Sequence, residues 1–493
     1  MKKSDTFSLI KNFKFAILFV AGVFILASAF PFKLYDESIW SYIGWLWSNQ
    51  GIPPYIGIVE NKTPGIFMLF ALANKFSVDT IFIVRTLGVL FSLGTTILVY
   101  EIGKRLVDKA TGIISIYIFG LTYSWSLLDG FAFAQTEIFM IFFSTLAFYF
   151  LINKSNSFSY KWLILSGLSL GLAIMFKQIA ITTALALVIV FLILNTNYTN
   201  RQRIKGIGFI GIGVLLSTLF SYSILYMFDV TFLEYINGAW KILLNSGSKI
   251  ESVNTHFSNF IKVFFYSKFI LFLPILVLFF MNKKICSKTM YLFLGTWFIF
   301  DFIGVNASGY YYGHQIKQLL PSLSLIIAIV VSFHINKYSA NLKKYASHQS
   351  SLSILVLIIF LFPYKQLYVN ANSLINYSTY NKVYINEASN WLKSNTDNDD
   401  FIYALGADQE LIFILDQTQR KSSSKYFNSI FIKEDLQRNL VLNDIKQNSP
   451  KFILKHGSLK NVEEIYGLEF NMYMKSNYTF LKSFDDVEIY KIK

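Results

Sequence analysis

The sequence predicts an all-α polytopic membrane protein that carries a small polar α/β domain at its C-terminal end. Three observations carry that expectation. Of the 493 residues, 54% are hydrophobic and only 15% are charged, where soluble chains run near a quarter charged. Apolar stretches long enough to cross about 30 Å of hydrocarbon recur along the first three quarters of the chain. After about residue 369 the composition turns polar, and short apolar runs alternate with Asp, Asn and Ser clusters.

The apolar runs begin near Phe13, Ile81, Thr111, Glu137, Trp162, Ile179, Gly206, Val263, Tyr291, Leu319 and Ser351, which makes about eleven spans. The N-terminal basic residues and apolar run lack an obvious small-residue cleavage site before PFKLYDE, so they read as a retained first helix. The formal charge of +15 could suggest a nucleic-acid partner, but the basic residues fall in short clusters between apolar runs. Lys2, Lys3, Lys11 and Lys14 precede the first span; Lys104, Arg105 and Lys109 follow the second, and Lys154 and Lys161 the fourth. Arg201, Arg203 and Lys205 follow the sixth, Lys283, Lys284 and Lys288 the eighth, and Lys337, Lys343 and Lys344 the tenth. By the positive-inside rule those exits are cytoplasmic, as is the N-terminus, and the odd-numbered connections face outward. The expected location is therefore the plasma membrane. The domain division read from this pattern is a membrane domain over 1–369, including a first outer loop at 31–79, and an extracytoplasmic α/β domain over 370–493.

Within that last domain, NEASNWLKSN and EDLQRNLVLNDIKQ read as amphipathic helices, and FIYAL, LIFIL, KFILK and VEIYKIK as strands. It shows no paired-carboxylate or Gly-rich signature, so a structural or acceptor-docking module is expected. The single cysteine, Cys286, excludes an internal disulfide framework, and the five histidines are too scattered for a metal box. No cofactor and no tightly bound metal are expected, although a divalent ion is compatible with the chemistry below.

The unusual ionisable residues all fall on the outer side. The first loop opens with Asp36 and Glu37 and closes with Glu60 and Lys62 just before Pro64; Arg85 lies one turn into the second span. Gln135 and Glu137 open the fourth span, Lys177 marks a tight junction between two apolar helices, and His314, Lys317 and Gln318 precede the tenth span. Asp301, near the end of the ninth span, has no evident partner in the sequence. Burying charge without partners is costly, so one shared cavity accounts for most of these residues economically. Cations there would bind an anionic lipid phosphate, and a carboxylate would take a proton from an incoming hydroxyl. Each residue also has a plainer reading. Asp36 and Glu37 could cap a juxtamembrane helix, Lys62 and Lys177 could mark the interface, Arg85 could pair structurally, and His314 could satisfy a local hydrogen bond. Tyr310, Tyr311 and Tyr312 read as an aromatic belt.

These segments, YDESIWSYIGWLWSNQGIPPY with ENKTPGIF, the arginine of the second span, FAQTEIFM, GLAIMFKQIA and YYGHQIKQLLP, resemble the GT-C membrane glycosyltransferases. The likeness is to glycosyltransferase family 39, of the protein-O-mannosyltransferase kind, and to lipid A aminoarabinose transferases. The resemblance implies that Asp36 is the base on the acceptor hydroxyl, with Glu37 beside it as a second catalytic residue orienting acceptor or sugar. It implies donor-phosphate binding by Lys62, Arg85, Lys177, His314 and Lys317, and substrate binding by Tyr55, Glu60, Glu137 and Gln318. It further implies a polyprenyl-phosphate sugar donor, a hydroxyl acceptor (protein, lipid or cell-surface glycan) and inversion at the anomeric carbon. The alternative is a flippase or transporter of lipid-linked saccharides without catalysis. Ionisable residues gathered at one face, and no internal repeat, favour the enzyme.

Overall fold

The computed structural model describes residues 12–76, 79–152, 159–194, 198–242, 257–258, 260–261, 269–282, 285–307, 312–341, 346–377, 383–406 and 409–493. Lys2, Lys3, Lys11, Lys154, Lys283, Lys284, Lys343 and Lys344 of the topology argument lie outside the described residues, as do Tyr310, Tyr311, the predicted start of the eighth span and much of 229–262. The chain divides into two units.

The first unit holds Met1–Pro31, Arg85–Ser221 and Gly247–Ile375. Apolar sequence with internal backbone hydrogen bonds gives helices wherever the expected spans are described. Four described helices have the length and apolarity to cross a membrane: Thr80–Leu106, Asn200–Tyr226, Lys288–Asn306 and Gly313–Lys337. Ser353–Leu361 and Tyr364–Ile375 form a fifth candidate bent by 44°, and Phe13–Ser28, Thr136–Ile152, Tyr160–Phe176 and Ala180–Leu194 are shorter apolar helices. Burial sorts them. Gly313–Lys337 is 78% buried over its apolar window and lies at the centre of the bundle, whereas Asn200–Tyr226 is 22% buried. The latter exposes Ile204, Leu215, Leu216, Leu219 and Phe220, as a lipid-facing helix should.

Without a hydrophobic force between helices in lipid, close approach at small residues does the work of association. Helices Tyr160–Phe176 and Asn200–Tyr226 cross at Gly167 and Gly213, where a Cβ on either would collide with the facing backbone. Helix ends are tied by side chains. The Trp125 indole donates to the Leu361 carbonyl at 2.8 Å, and Asn370 donates to the carbonyls of Leu26 and Ala27 at 2.9 and 2.7 Å.

The second unit holds Phe32–Val84, Tyr222–Ser246 and Asn376–Lys493. Its first segment, expected as a loop, contains two helices, Tyr35–Gln50 and Gly65–Ala73. They touch at Gly44, where a Cβ would lie 2.7 Å from the Phe70 backbone. The sheet has the order β2-β1-β3-β5-β4, with β1 Phe401–Leu405, β2 Lys421–Ser422, β3 Phe452–His456, β4 Tyr478–Phe484 and β5 Val487–Ile492. β1 runs parallel to β2 and β3, while β5 is antiparallel to β3 and β4.

The expected helices at 386–395 and 434–447 are present, as Val383–Asn395 and Asp435–Asn448. The expected strand LIFIL is instead helix Gln409–Thr418. Its buried residues Leu411, Ile412, Leu415 and Thr418 repeat at the helical period, and Glu410 stands in the first turn. A five-residue apolar run hides that period.

Two charged clusters and their relatives

In the first unit, three sequence-distant stretches, 129–137, Lys177 and 314–317, bring charge together. Residues Ser126–Leu128 make one short turn, and Asp129 follows in the left-handed region at φ 52°. Its carboxylate accepts from the His314 backbone N–H at 2.9 Å and faces His314 Nδ1 at 2.8 Å. A carboxylate can only accept, so Nδ1 carries the proton and Nε2 is turned toward Glu137, 3.7 Å away. Glu137, 1% exposed, opens helix Thr136–Ile152 where the N-terminal end of the macrodipole favours an acid. Its other oxygen accepts from Thr136 Oγ1 at 2.9 Å. Lys177 pairs with Glu137. The lysine can do so because the chain breaks there: helix Tyr160–Phe176 ends on an extended Lys177, and the next helix starts at Ala180. Lys317, fully buried, donates to the Asp129 carbonyl at 2.9 Å and stands 4.4 Å from the centroid of the Tyr123 ring. That is cation–π range.

Burial pushes the Asp129 carboxyl up, but the His314 contacts and the nearby Lys317 charge outweigh it and hold the group below the usual carboxylate range. Gln318 turns to a different partner set. Its amide donates to Thr183 at 3.2 Å and to Asp301 at 3.3 Å, and Thr183 donates to Asp301 at 2.6 Å. Asp301 is thus placed, as the acceptor of a buried three-residue network. Arg85 donates to the Phe30 carbonyl at 2.6 Å. Sequence reasoning omitted Asp129, which lies 185 residues from His314. Its signal was a carboxylate in an aromatic-rich connection between two apolar runs.

In the second unit, Asp36 is half-buried in the first turn of helix Tyr35–Gln50. Glu37 is fully buried and accepts from the Leu34 backbone N–H at 3.0 Å, closing the helix start from its third position. The plainer capping reading therefore describes Glu37, while Asp36 keeps partial exposure. Further along, Glu60 is 5% exposed and sits 3.5 Å from Lys62 Nζ. Burial raises the Glu60 carboxyl above its ordinary value; Lys62 offsets part of this, and the Asp36 charge adds to it. Tyr55, buried, donates its hydroxyl to the Lys62 carbonyl at 2.7 Å and so shapes the turn that presents Lys62.

Residues 61–223 match the family model described as dolichyl-phosphate-mannose-protein mannosyltransferase. The chain is similar in structure to ArnT from Cupriavidus metallidurans bound to undecaprenyl phosphate, at 11% identity and a TM-score of 0.63, covering 96% of each chain. It is also similar to the archaeal oligosaccharyltransferase AglB from Archaeoglobus fulgidus, in complex with an inhibitory peptide and a dolichol-phosphate. There the identity is 9% and the TM-score 0.57, over 97% of this chain and 74% of that one. The fold is GT-C. No curated protein sequence matches the chain.

The match over residues 61–223 and the shared fold are likenesses to membrane glycosyltransferases, and the apolar helices are those of a multi-pass membrane protein. Lys62, Arg85, Glu137 and Lys177 lie within the matched stretch, while Asp36 and Glu37 precede it and His314, Lys317 and Gln318 follow it.

Proposed function

We propose that this chain is a plasma-membrane glycosyltransferase that moves one sugar from a polyprenyl-phosphate donor to a hydroxyl acceptor at the outer face, with inversion. The family match over residues 61–223 carries this reading. The chemistry follows from what such a transfer needs. The bond between the anomeric carbon and the phosphate oxygen breaks, and a bond from the acceptor oxygen to that carbon forms on the opposite face. The acceptor proton passes to Asp36, a carboxylate that keeps solvent access. Negative charge grows on the departing lipid phosphate, and fixed cations stabilise it best where water is excluded.

Lys177, His314 and Lys317 supply such charge from one cluster, and Lys62 and Arg85 from two further points. In the resting cluster, Lys177 and Lys317 are offset by Glu137 and Asp129. An incoming phosphate would compete with Glu137 for Lys177, and the His314 ring stands beside that pair as a hydrogen-bonding partner. Glu137 and Gln318 act here as positioning residues; Glu37 and Tyr55 do the same for Asp36 and Lys62. The N-terminus is cytoplasmic and residues 370–493 are outside.

The test is release of free polyprenyl phosphate from radiolabelled donors by purified protein in detergent, with native membrane extract as acceptor. Release by the wild type and its loss in Asp36→Asn, at unchanged expression and folding, is the expected result. Full activity in Asp36→Asn removes the assigned base, and no release from any donor sinks the transferase reading.

A further inference from the structure

The second unit contains a cavity of about 380 Å³ that the transfer chemistry leaves unused. It lies within the range of roughly 300–1,000 Å³ typical of ligand pockets. Helix Tyr35–Gln50 forms one wall through Ser41, Trp45 and Asn49, residues Asn74, Phe76, Asp79, Thr80 and Ile81 a second, and the end of helix Gln409–Thr418 a third. At its base Lys33 Nζ meets Asp416 Oδ2 at 3.0 Å, with the Asp416 side chain 5% exposed. Four side-chain amides also line it: Asn49, Asn74, Gln417 and Gln419.

The charge balance decides what fits. Lys33 and Lys393 are matched by Asp79 and Asp416, two cations against two carboxylates, so the cavity offers no net attraction to an anion. The Asn74 amide is already engaged, donating to the Phe70 carbonyl at 3.0 Å and accepting from Thr80 Oγ1 at 3.1 Å, and Asn49 Oδ1 accepts from Ser48. The Asn49, Gln417 and Gln419 amides carry the donors and acceptors that pair with hydroxyls, which themselves both donate and accept. The exposed lining is predominantly polar, and Trp45 itself is buried. A neutral, polyhydroxylated ligand satisfies all of this.

We infer that this cavity is a binding site for a neutral saccharide, distinct from the donor-phosphate cluster. The inference goes beyond the transfer reading and does not require it. The sugar's source is either an acceptor glycan or the donor itself.

The full-length protein in detergent is titrated calorimetrically with tetramers of glucose, mannose and N-acetylglucosamine. A galacturonate tetramer and inorganic phosphate serve as anionic probes. The double variant Asn49→Ala/Gln417→Ala changes one exposed and one half-buried lining residue. Binding of at least one neutral tetramer, weakened tenfold or more in the variant, is expected. No binding by any neutral tetramer, equal binding by both proteins, or binding only of the anionic probes overturns the proposal. Once binding is seen, donor cleavage without acceptor separates the sources. An unchanged rate in the variant assigns the site to an acceptor glycan, and a rate lowered in step assigns it to the donor sugar. Absence of cleavage from both proteins counts against the transfer reading, and the titration still decides the cavity.

Discussion

Replacing Lys177 by Met removes the cation that faces a carboxylate buried to 1% exposure. Lys177 is itself only 15% exposed. Breaking a buried pair at one end leaves an uncompensated charge, which costs about 3–5 kcal/mol, whereas replacing both ends by neutral groups is often nearly neutral. His314 Nε2, at 3.7 Å from Glu137, lies beyond hydrogen-bond range and can recover only part of that loss. Lys177→Met should therefore unfold markedly earlier than wild type on heating in detergent. Lys177→Met/Glu137→Gln should recover most of the difference. The double variant should nevertheless bind a polyprenyl phosphate, the proposed donor carrier, more weakly than wild type, because it has regained packing but not the cation. Wild-type stability in the single variant would refute the buried-pair argument. Wild-type lipid-phosphate affinity in the rescued double variant would remove Lys177 from the donor site.

Gly44→Ala forces a methyl against the Phe70 backbone at 2.7 Å and should cost about 1–3 kcal/mol, read by thermal unfolding. The Asp129 carboxyl titrates below its ordinary value of 3.8 in the fold, so its stabilising contribution is complete above that pH and is lost as pH falls through the lower folded value. Unfolding measured from pH 3 to 6, on the order of the carboxylate range, should lose this acid-side slope in Asp129→Asn. Glu60 has the opposite sign: its raised value means its contribution is complete below 4.5 and lost as pH rises through the folded value. Glu60→Gln should thus gain stability at neutral pH while transfer falls. With Cys286 changed to Ser, an impermeant maleimide applied to intact cells should label Asp399→Cys and spare Lys104→Cys; the reverse pattern inverts the proposed topology.

Much of this arrangement could be read from local sequence because hydrocarbon imposes a local rule. Each span must satisfy its own backbone, so an apolar run near Phe13 or Thr111 is already a helix without knowledge of its neighbours. The break at Lys177 was visible for the same reason, as a charge between two runs too long to be one. Pairings were not legible. Asp301 finds Thr183 118 residues away, and His314 finds Asp129 across 185. Nothing in residue type announces those partners. The misread LIFIL run shows the limit from the other side: over five residues an apolar stretch fits a strand or a buried helix equally well, and the flanking Glu410 decides it. Asp36 and Lys62 stood out by their company. Why Glu37 differs from Asp36 needed the helix start itself.

The second unit is stitched from segments far apart in the chain, and this sets an order of events during synthesis. Lys33 meets Asp416 across 383 residues, Tyr42 donates to the Arg420 carbonyl at 2.6 Å, and Val59 N–H bonds the Lys425 carbonyl at 3.0 Å. The segment from Phe32 to Val84 is made early and must wait for nearly the whole remainder of the chain before those partners exist. Until then, its polar groups stay unsatisfied or hydrated. A ribosome that stalls before residue 376 would leave inserted helices beside an unfinished first segment. Incomplete chains should therefore carry Asp36 without the framework that holds it, and late synthesis would itself act as the checkpoint on competence.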